Sequence, residues 1–132
     1  MATIPEKYLD LIHEKKAFAS LATLMADGSP QVTPVWFDYA DGKLRVNTAR
    51  GRVKDRNMKK DGRVAVSILD PENPYRYVQM RGTVVRVTED GADDHIDALA
   101  KKYLGADKYP FRQPGEVRVI FEIDVTSVQA QG

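Results

Sequence analysis

The stretch YRYVQMRGTVVRVT (75–88) is long enough for an extended strand, but its apolar phase does not hold. Val78 and Met80 share one face, Val85 and Val87 are offset from it by an odd number of residues, and Gly82 lies between. A strand changes phase through a bulge or a sharp bend, and glycine permits either. Small antiparallel barrels need such bends. The other strand patterns agree. AFASLATLM (17–25), QVTPVWFDY (31–39), KLRVNTA (43–49), RVAVSILD (63–70) and VRVIFEIDV (117–125) are apolar or alternate. Turns at 27–30 (DGSP) and Asp41-Gly42 link the first three, and PENP (71–74) is a loop. Pro34 should interrupt the pairing of 31–39. Helices are expected at 5–16, 52–61 and 91–105, the last closed by Gly105. The expectation is a mainly β fold: six antiparallel strands in a small barrel with about three short helices.

The chain has 132 residues, 42% hydrophobic and 30% charged, which predicts a single folded domain over 1–132. It lacks cysteine, so disulfides, thiolate catalysis and cysteine-held metal are excluded. No apolar run approaches membrane-spanning length and no signal-peptide pattern opens the chain, so a cytoplasmic protein is expected. A net charge of +1 argues against a nucleic-acid field.

Charge is concentrated in NTARGRVKDRNMKKDGR (47–63), with seven basic residues against Asp55 and Asp61. Strand, Gly51 and helix start make an anion site, because free backbone N–H groups and the helix dipole point the same way. Lys54 and Asn57 share a helix face, and Arg50 and Arg52 flank Gly51. This pattern suits a phosphate; it also suits a solvated basic helix. Neither Val53 nor Met58 gives that helix a stripe, so tertiary contacts or a ligand must hold it. Two further segments have two readings each. Gln31–Phe37, broken at Pro34, either offers free backbone groups to a planar ring or contributes Trp36 and Phe37 to the core. Pro71–Tyr77 is either an aromatic wall or an ordinary loop.

His13 and His95 fall on polar helix faces without metal-ligand spacing, and no metal site is expected. No serine sits in a nucleophile elbow, and no carboxylate pair recommends itself as an acid/base couple. Catalytic side chains are scarce, so an enzyme of this sequence would leave the hard chemistry to a cofactor.

The order FASLATLMADGSPQVTPVWFDYADGKLRVNTARGRVKDRNMKKDGRVAVSILD resembles the pyridoxamine-phosphate-oxidase-like, FMN-binding split-barrel flavoproteins. "T.RGR.K.RN…D.RV" is similar to the branch that uses the deazaflavin coenzyme F420. The likeness runs over about residues 15–128. It implies a six-stranded split β-barrel and a homodimer with cofactor at the subunit interface. It also implies that Arg50, Gly51, Arg52, Lys54 and Asn57 hold the cofactor phosphate, with Arg56 nearby. Gln31, Thr33, Pro34 and Val35 would line the ring, Asn47 and Thr48 would lie beneath it, and Ser67 and Ile68 would approach from the next strand. Pro74, Tyr75, Tyr77 and Gln79 would come from the second subunit. The implied activity is an F420H2-dependent reductase. It would pass a hydride to an activated double bond of a flat apolar substrate, such as an unsaturated lactone, a coumarin-like ring or a quinone. The added proton would come from solvent or a tyrosine, Tyr75 or Tyr77. The alternatives are an FMN-binding oxidoreductase of the same fold and a non-catalytic F420 carrier. Vitamin B6 oxidation is not expected. The chain ends VTSVQAQG and its only tryptophan is Trp36, whereas the oxidases proper end in an Arg- and Trp-containing tail.

Overall fold

Seven strands build one antiparallel sheet in the computed structural model, which describes residues 2–132. They are β1 (Ala19–Leu24), β2 (Pro30–Val35), β3 (Phe37–Ala40), β4 (Lys43–Ala49), β5 (Arg63–Asp70), β6 (Asn73–Thr88) and β7 (Arg118–Gln131). Their order is β2-β1-β5-β6-β7-β4-β3. The two edges, β2 and β3, are consecutive in the chain with only Trp36 between them. A sheet whose edges are joined by one residue must curl round on itself. Because those edges share no ladder, the barrel is split.

The expected six strands become seven because 31–39 is divided. Pro34 does not end the pairing: it stands opposite Ser20, and Val35 stands opposite Ala19. On an edge strand the missing N–H of proline costs nothing. The break falls at Trp36, whose ring stacks on Tyr103 at 5.2 Å with the planes 5° apart. Phe37 then enters the core fully buried, beside Phe121, Leu21, Leu44, Ile68 and Ile123.

β6 begins inside the expected loop 71–74 and bends near Gly82. Its register against β7 slips between Arg81 and Gly82 and again between Val84 and Arg86. Val78, Met80 and Gly82 face inward, and Val84 packs against the core beyond the first slip. Val85 and Val87, read as the second apolar phase, instead turn outward at 53% and 38% exposure. In β7, Val119, Phe121, Ile123 and Val125 are buried as the alternation predicts, while Val117 precedes the strand and is exposed.

Three helices pack on this frame. A 3-10 turn, Glu6–Tyr8, runs into α1 (Leu9–His13), shorter than the expected 5–16. The Asp10 carbonyl takes the N–H of both Glu14 and Lys15, which closes the helix. Lys15 then leaves to pair with Asp70 at 3.1 Å. Leu11 and Ile12 are fully buried. Arg76 binds Asp10 at 2.6 Å, the Lys7 carbonyl at 2.7 Å and Asp70 at 2.9 Å, so β6 holds α1 in place. α2 spans Val53–Lys60 and α3 spans Ala92–Leu104. His13 is exposed, but His95 is not on a polar face. It lies in the buried stripe of α3 with Ile96, Leu99, Ala100 and Tyr103.

Gly82 has no room for a side chain. A Cβ there would collide with the Asp124 carbonyl oxygen and stand 2.9 Å from Ile123 Cγ2. Gly82→Ala is therefore expected to destabilise the fold by about 1–3 kcal/mol, the range for overpacking. A urea midpoint equal to wild type would show that the β6–β7 crossing yields freely.

Candidate functional site

β4 ends at Ala49 and the chain turns through Gly51, whose φ is +91°, into α2. Arg52 caps the helix with its backbone extended and makes no side-chain capping bond. The turn is held by its own charges. Buried Asp55 accepts the Gly51 N–H at 2.9 Å and an Arg50 Nη1 bond at 3.2 Å. Arg50 also binds Glu89 at 2.8 Å, and Arg56 donates to the Gly51 carbonyl at 2.8 Å. Asn57 turns inward and donates to Thr23 Oγ1 at 3.0 Å; Thr23 donates in turn to Gln31 Oε1 at 3.2 Å. Met58 is buried in the core. A helix without an apolar stripe is thus anchored by buried polar contacts.

Arg52 and Lys54 face the other way. They line a cleft of about 180 Å³ together with Pro34, Val35 and Trp36, where β2 gives way to β3. Asn47 of β4 and Arg118 at the start of β7 form its floor, and Phe18, Ile96, Tyr109 and Phe111 close its apolar side. Arg118 is buried. Its Nε donates to Asn47 Oδ1 at 2.8 Å, its Nη1 donates to Glu116 at 2.8 Å, and its guanidinium lies 5.1 Å from the Tyr109 ring centre. Arg52 reaches the same Glu116 only at 3.9 Å. Among the described residues, half-buried Lys54 has no carboxylate within 4.0 Å and no hydrogen-bond partner in the protein. Burial, followed by repulsion from Arg52 and Arg118, pushes its ammonium below the ordinary lysine value. Arg52 and Arg118 thus share one carboxylate and Lys54 has none, in a partly dry cleft.

The apolar side is aromatic. Trp36 meets Tyr109 edge-on at 6.0 Å, and Tyr109 meets Phe111 at 5.7 Å. Behind them the Tyr103 hydroxyl donates to the Ala17 carbonyl at 2.6 Å and is pushed up to about 12 by burial. Tyr103 is committed to structure. Tyr109 and Phe111 come from the segment 107–116, which reads as a plain loop. Its only hint was Tyr-Pro-Phe in a polar stretch. Phe18, Ile96 and Arg118 carried no such hint.

The other expected site residues lie elsewhere. Gln31 and Thr33 point to the inner side of β2, and the buried Thr33 and Thr48 hydroxyls have no partner. Ile68 is fully buried in the core. Ser67, Tyr77 and Gln79 line a second cleft of about 310 Å³ with Ser20, Ala22 and Val32, on the outer face of β2-β1-β5-β6. Pro74 and Tyr75 sit at the β5–β6 hairpin tip, Tyr75 at 79% exposure. The Tyr77 hydroxyl donates to Gln131 at 3.1 Å.

Among known proteins, the sequence model of the pyridoxamine 5'-phosphate oxidase family matches residues 4–132. The chain belongs to that family. Of its solved relatives, a protein described as an F420 reductase is 34% identical, covers 96% of this chain and 98% of its own, and superposes with a TM-score of 0.83. HupZ of Group A Streptococcus is 22% identical over 97% of this chain and 94% of its own, with a TM-score of 0.69. General Stress Protein 26 of Bacillus anthracis is 18% identical over 95% and 92%, with a TM-score of 0.67. The last two share the fold. Within this family fold, none of the described helices is long and apolar enough to cross a membrane.

Because Asp55 satisfies both Gly51 and Arg50 from a buried position, Asp55→Ala is expected to cost about 1–3 kcal/mol, the range for a buried donor left unpaired. Denaturant unfolding reads the loss, and an unchanged midpoint would mean that water replaces the carboxylate.

Proposed function

We propose that the chain is an F420H2-dependent reductase and that Lys54, Arg52 and Arg118 hold the cofactor's phosphate. The observation that carries this is Lys54, a half-buried ammonium without a counter-charge beside two arginines. Burying an unpaired cation is costly, and an anion in the cleft removes the cost. Arg52 and Lys54 stand at the start of α2, where a helix carries free N–H groups and the positive end of its dipole. The residues present therefore fit a phosphate-bearing flavin-type cofactor. The 34% identity to an F420 reductase favours the deazaflavin, whereas the family as a whole keeps FMN as the alternative.

When bound, the reduced deazaflavin supplies a hydride to an activated double bond. The chain's own part is to bind, orient and exclude water. Trp36, Tyr109 and Phe111 offer flat apolar surface, which suits planar substrates such as unsaturated lactones, coumarin-like rings or quinones. The added proton is drawn from solvent or from a tyrosine of a second copy, Tyr75 or Tyr77.

The cleft of about 180 Å³ is smaller than the roughly 300–1,000 Å³ of drug-sized sites, so one chain supplies only part of the cavity. The outer face of β2-β1-β5-β6 supports a homodimer. It carries small uncharged residues at Ser20, Ala22, Ala65 and Ser67, and exposed Val32 and Leu69.

Trp36, the only tryptophan, lines the cleft, so its fluorescence reports occupancy directly. Titration with F420 is expected to quench it at lower concentration than FMN; tight FMN binding with no F420 binding defeats the deazaflavin assignment. Lys54→Ala is expected to weaken the cofactor by about 1.5–3 kcal/mol, as for a charge-assisted hydrogen bond. Tight F420 binding with no oxidation of F420H2 by a panel of enones and quinones would make the protein a carrier. Sedimentation tests the dimer: Ser67→Arg should yield monomers that bind cofactor weakly, and an unchanged dimer would remove this face from the interface.

A further inference from the structure

We propose that His95 is a positioning residue for the anion site: by accepting a hydrogen bond from the Asn47 amide, it sets which end of that amide faces Arg118. The proposal rests on the reading of Arg118 as part of the anion site.

The polarity of the network follows from its ends. A guanidinium only donates, so the Asn47 atom 2.8 Å from Arg118 Nε is Oδ1. Asn47 Nδ2 then faces the Ala92 carbonyl at 2.9 Å and His95 Nδ1 at 3.1 Å. Two N–H groups meet two acceptors, so Nδ1 carries a lone pair. The single proton of the ring is on Nε2 and is donated to Asp38 Oδ2 at 3.1 Å. Arg45 grips Asp38 with two bonds, at 2.9 and 2.7 Å. Burial opposes the Asp38 charge, but His95 and Arg45 outweigh it and hold the carboxyl at about 2. The acceptor for Nε2–H is therefore permanent. One line of hydrogen bonds runs from the Asp38–Arg45 pair to the cleft, and every member but Arg45 and Asp38 is buried.

A second proton on His95 cannot be accommodated as the network stands. It would place Nδ1–H against Asn47 N–H. The amide would have to rotate, turning its NH2 toward Arg118 and removing an acceptor that holds the guanidinium. Around His95 stand Asp38 of β3, Arg45 of β4, Arg86 of β6 and Glu122 of β7, with Asp90 and Asp94 near the start of α3. Among the described residues, only Asn47 hydrogen-bonds Nδ1.

Glutamine reproduces the neutral ring: its Oε1 can accept from Asn47 while its NH2 donates to Asp38. Leucine does neither. The probe is inorganic sulfate at pH 8, read by Trp36 fluorescence. H95Q should bind like wild type, and H95L should bind about fivefold more weakly, near the worth of one hydrogen bond. Lys54 is common to all three proteins and cancels. H95L as tight as wild type, or H95Q as weak as H95L with an unchanged melting temperature, overturns the proposal. Nitrogen-15 NMR of His95 gives a ligand-free arm. The Nε2–H tautomer is expected, and the Nδ1–H tautomer overturns the inference whatever binds. If sulfate binds neither wild type nor Lys54→Ala while the tautomer is as expected, it is the anion site that fails and not the network.

Discussion

The residues from Gln31 to Ala40 form one extended run that changes partner halfway. As far as Val35 it pairs with β1; from Phe37 it pairs with β4, at the opposite end of the sheet. A single residue, Trp36, cannot make the hairpin that would let the two halves pair with each other, since that needs at least two. The barrel is therefore closed by continuity of chain and not by a ladder. The opening left at the change of partner is the cleft. Its rim is the backbone of Pro34, Val35 and Trp36, and its aromatic wall is anchored where Trp36 leaves the sheet to stack on Tyr103. The edges are short, and β2 carries Pro30 and Pro34, which blunts them against pairing with other strands.

The charges beside this opening are divided by function. Arg50, Asp55 and Arg56 are consumed in building the turn that aims α2. Among the described residues, Arg52 and Arg118 have Glu116 as their only carboxylate within 4.0 Å, and Lys54 has none. A half-buried, unpaired ammonium lowers the stability of the empty protein, and under the proposed function an anion in the cleft would offset that cost.

Much of the frame was legible. The period-two patterns of 43–49, 63–70 and 117–125 give strands because each buries one face, and Gly82 marks the bend because no other residue fits there. Boundaries and partners were less so. Nothing local says that 31–39 pairs with β1 first and β4 later; that depends on where the far end of the sheet arrives. Asp55, Asn57 and His95 look like surface residues because they are polar, yet each is buried; Asp55 is satisfied within its own turn, whereas Asn57 reaches Thr23 and His95 reaches Asp38, far away in sequence. The arginine run read as one site because charge is visible and direction is not. Neighbouring basic residues end on opposite sides of the turn, with Arg50 toward Glu89 and Arg52 toward Glu116.

The same loss of direction bears on assembly. Alternation puts Val66 and Ile68 inside the barrel and Ala65 and Ser67 outside, so residues close in sequence cannot serve one ligand from one chain. Lys54 and Arg52 lie at the split, beside β2. Ser67 and Gln79 face outward from β5 and β6, two and three strands further in. At about 4.8 Å per strand, Gln79 is some 14 Å from β2 across the sheet. A ligand bound by its anion at Lys54 and touching that outer face must extend over the rim at Pro34, or meet the outer face of a second chain packed against it. The small uncharged side chains of that face allow close packing. A cofactor shared between two copies, as proposed above, would need neither cleft alone to enclose it.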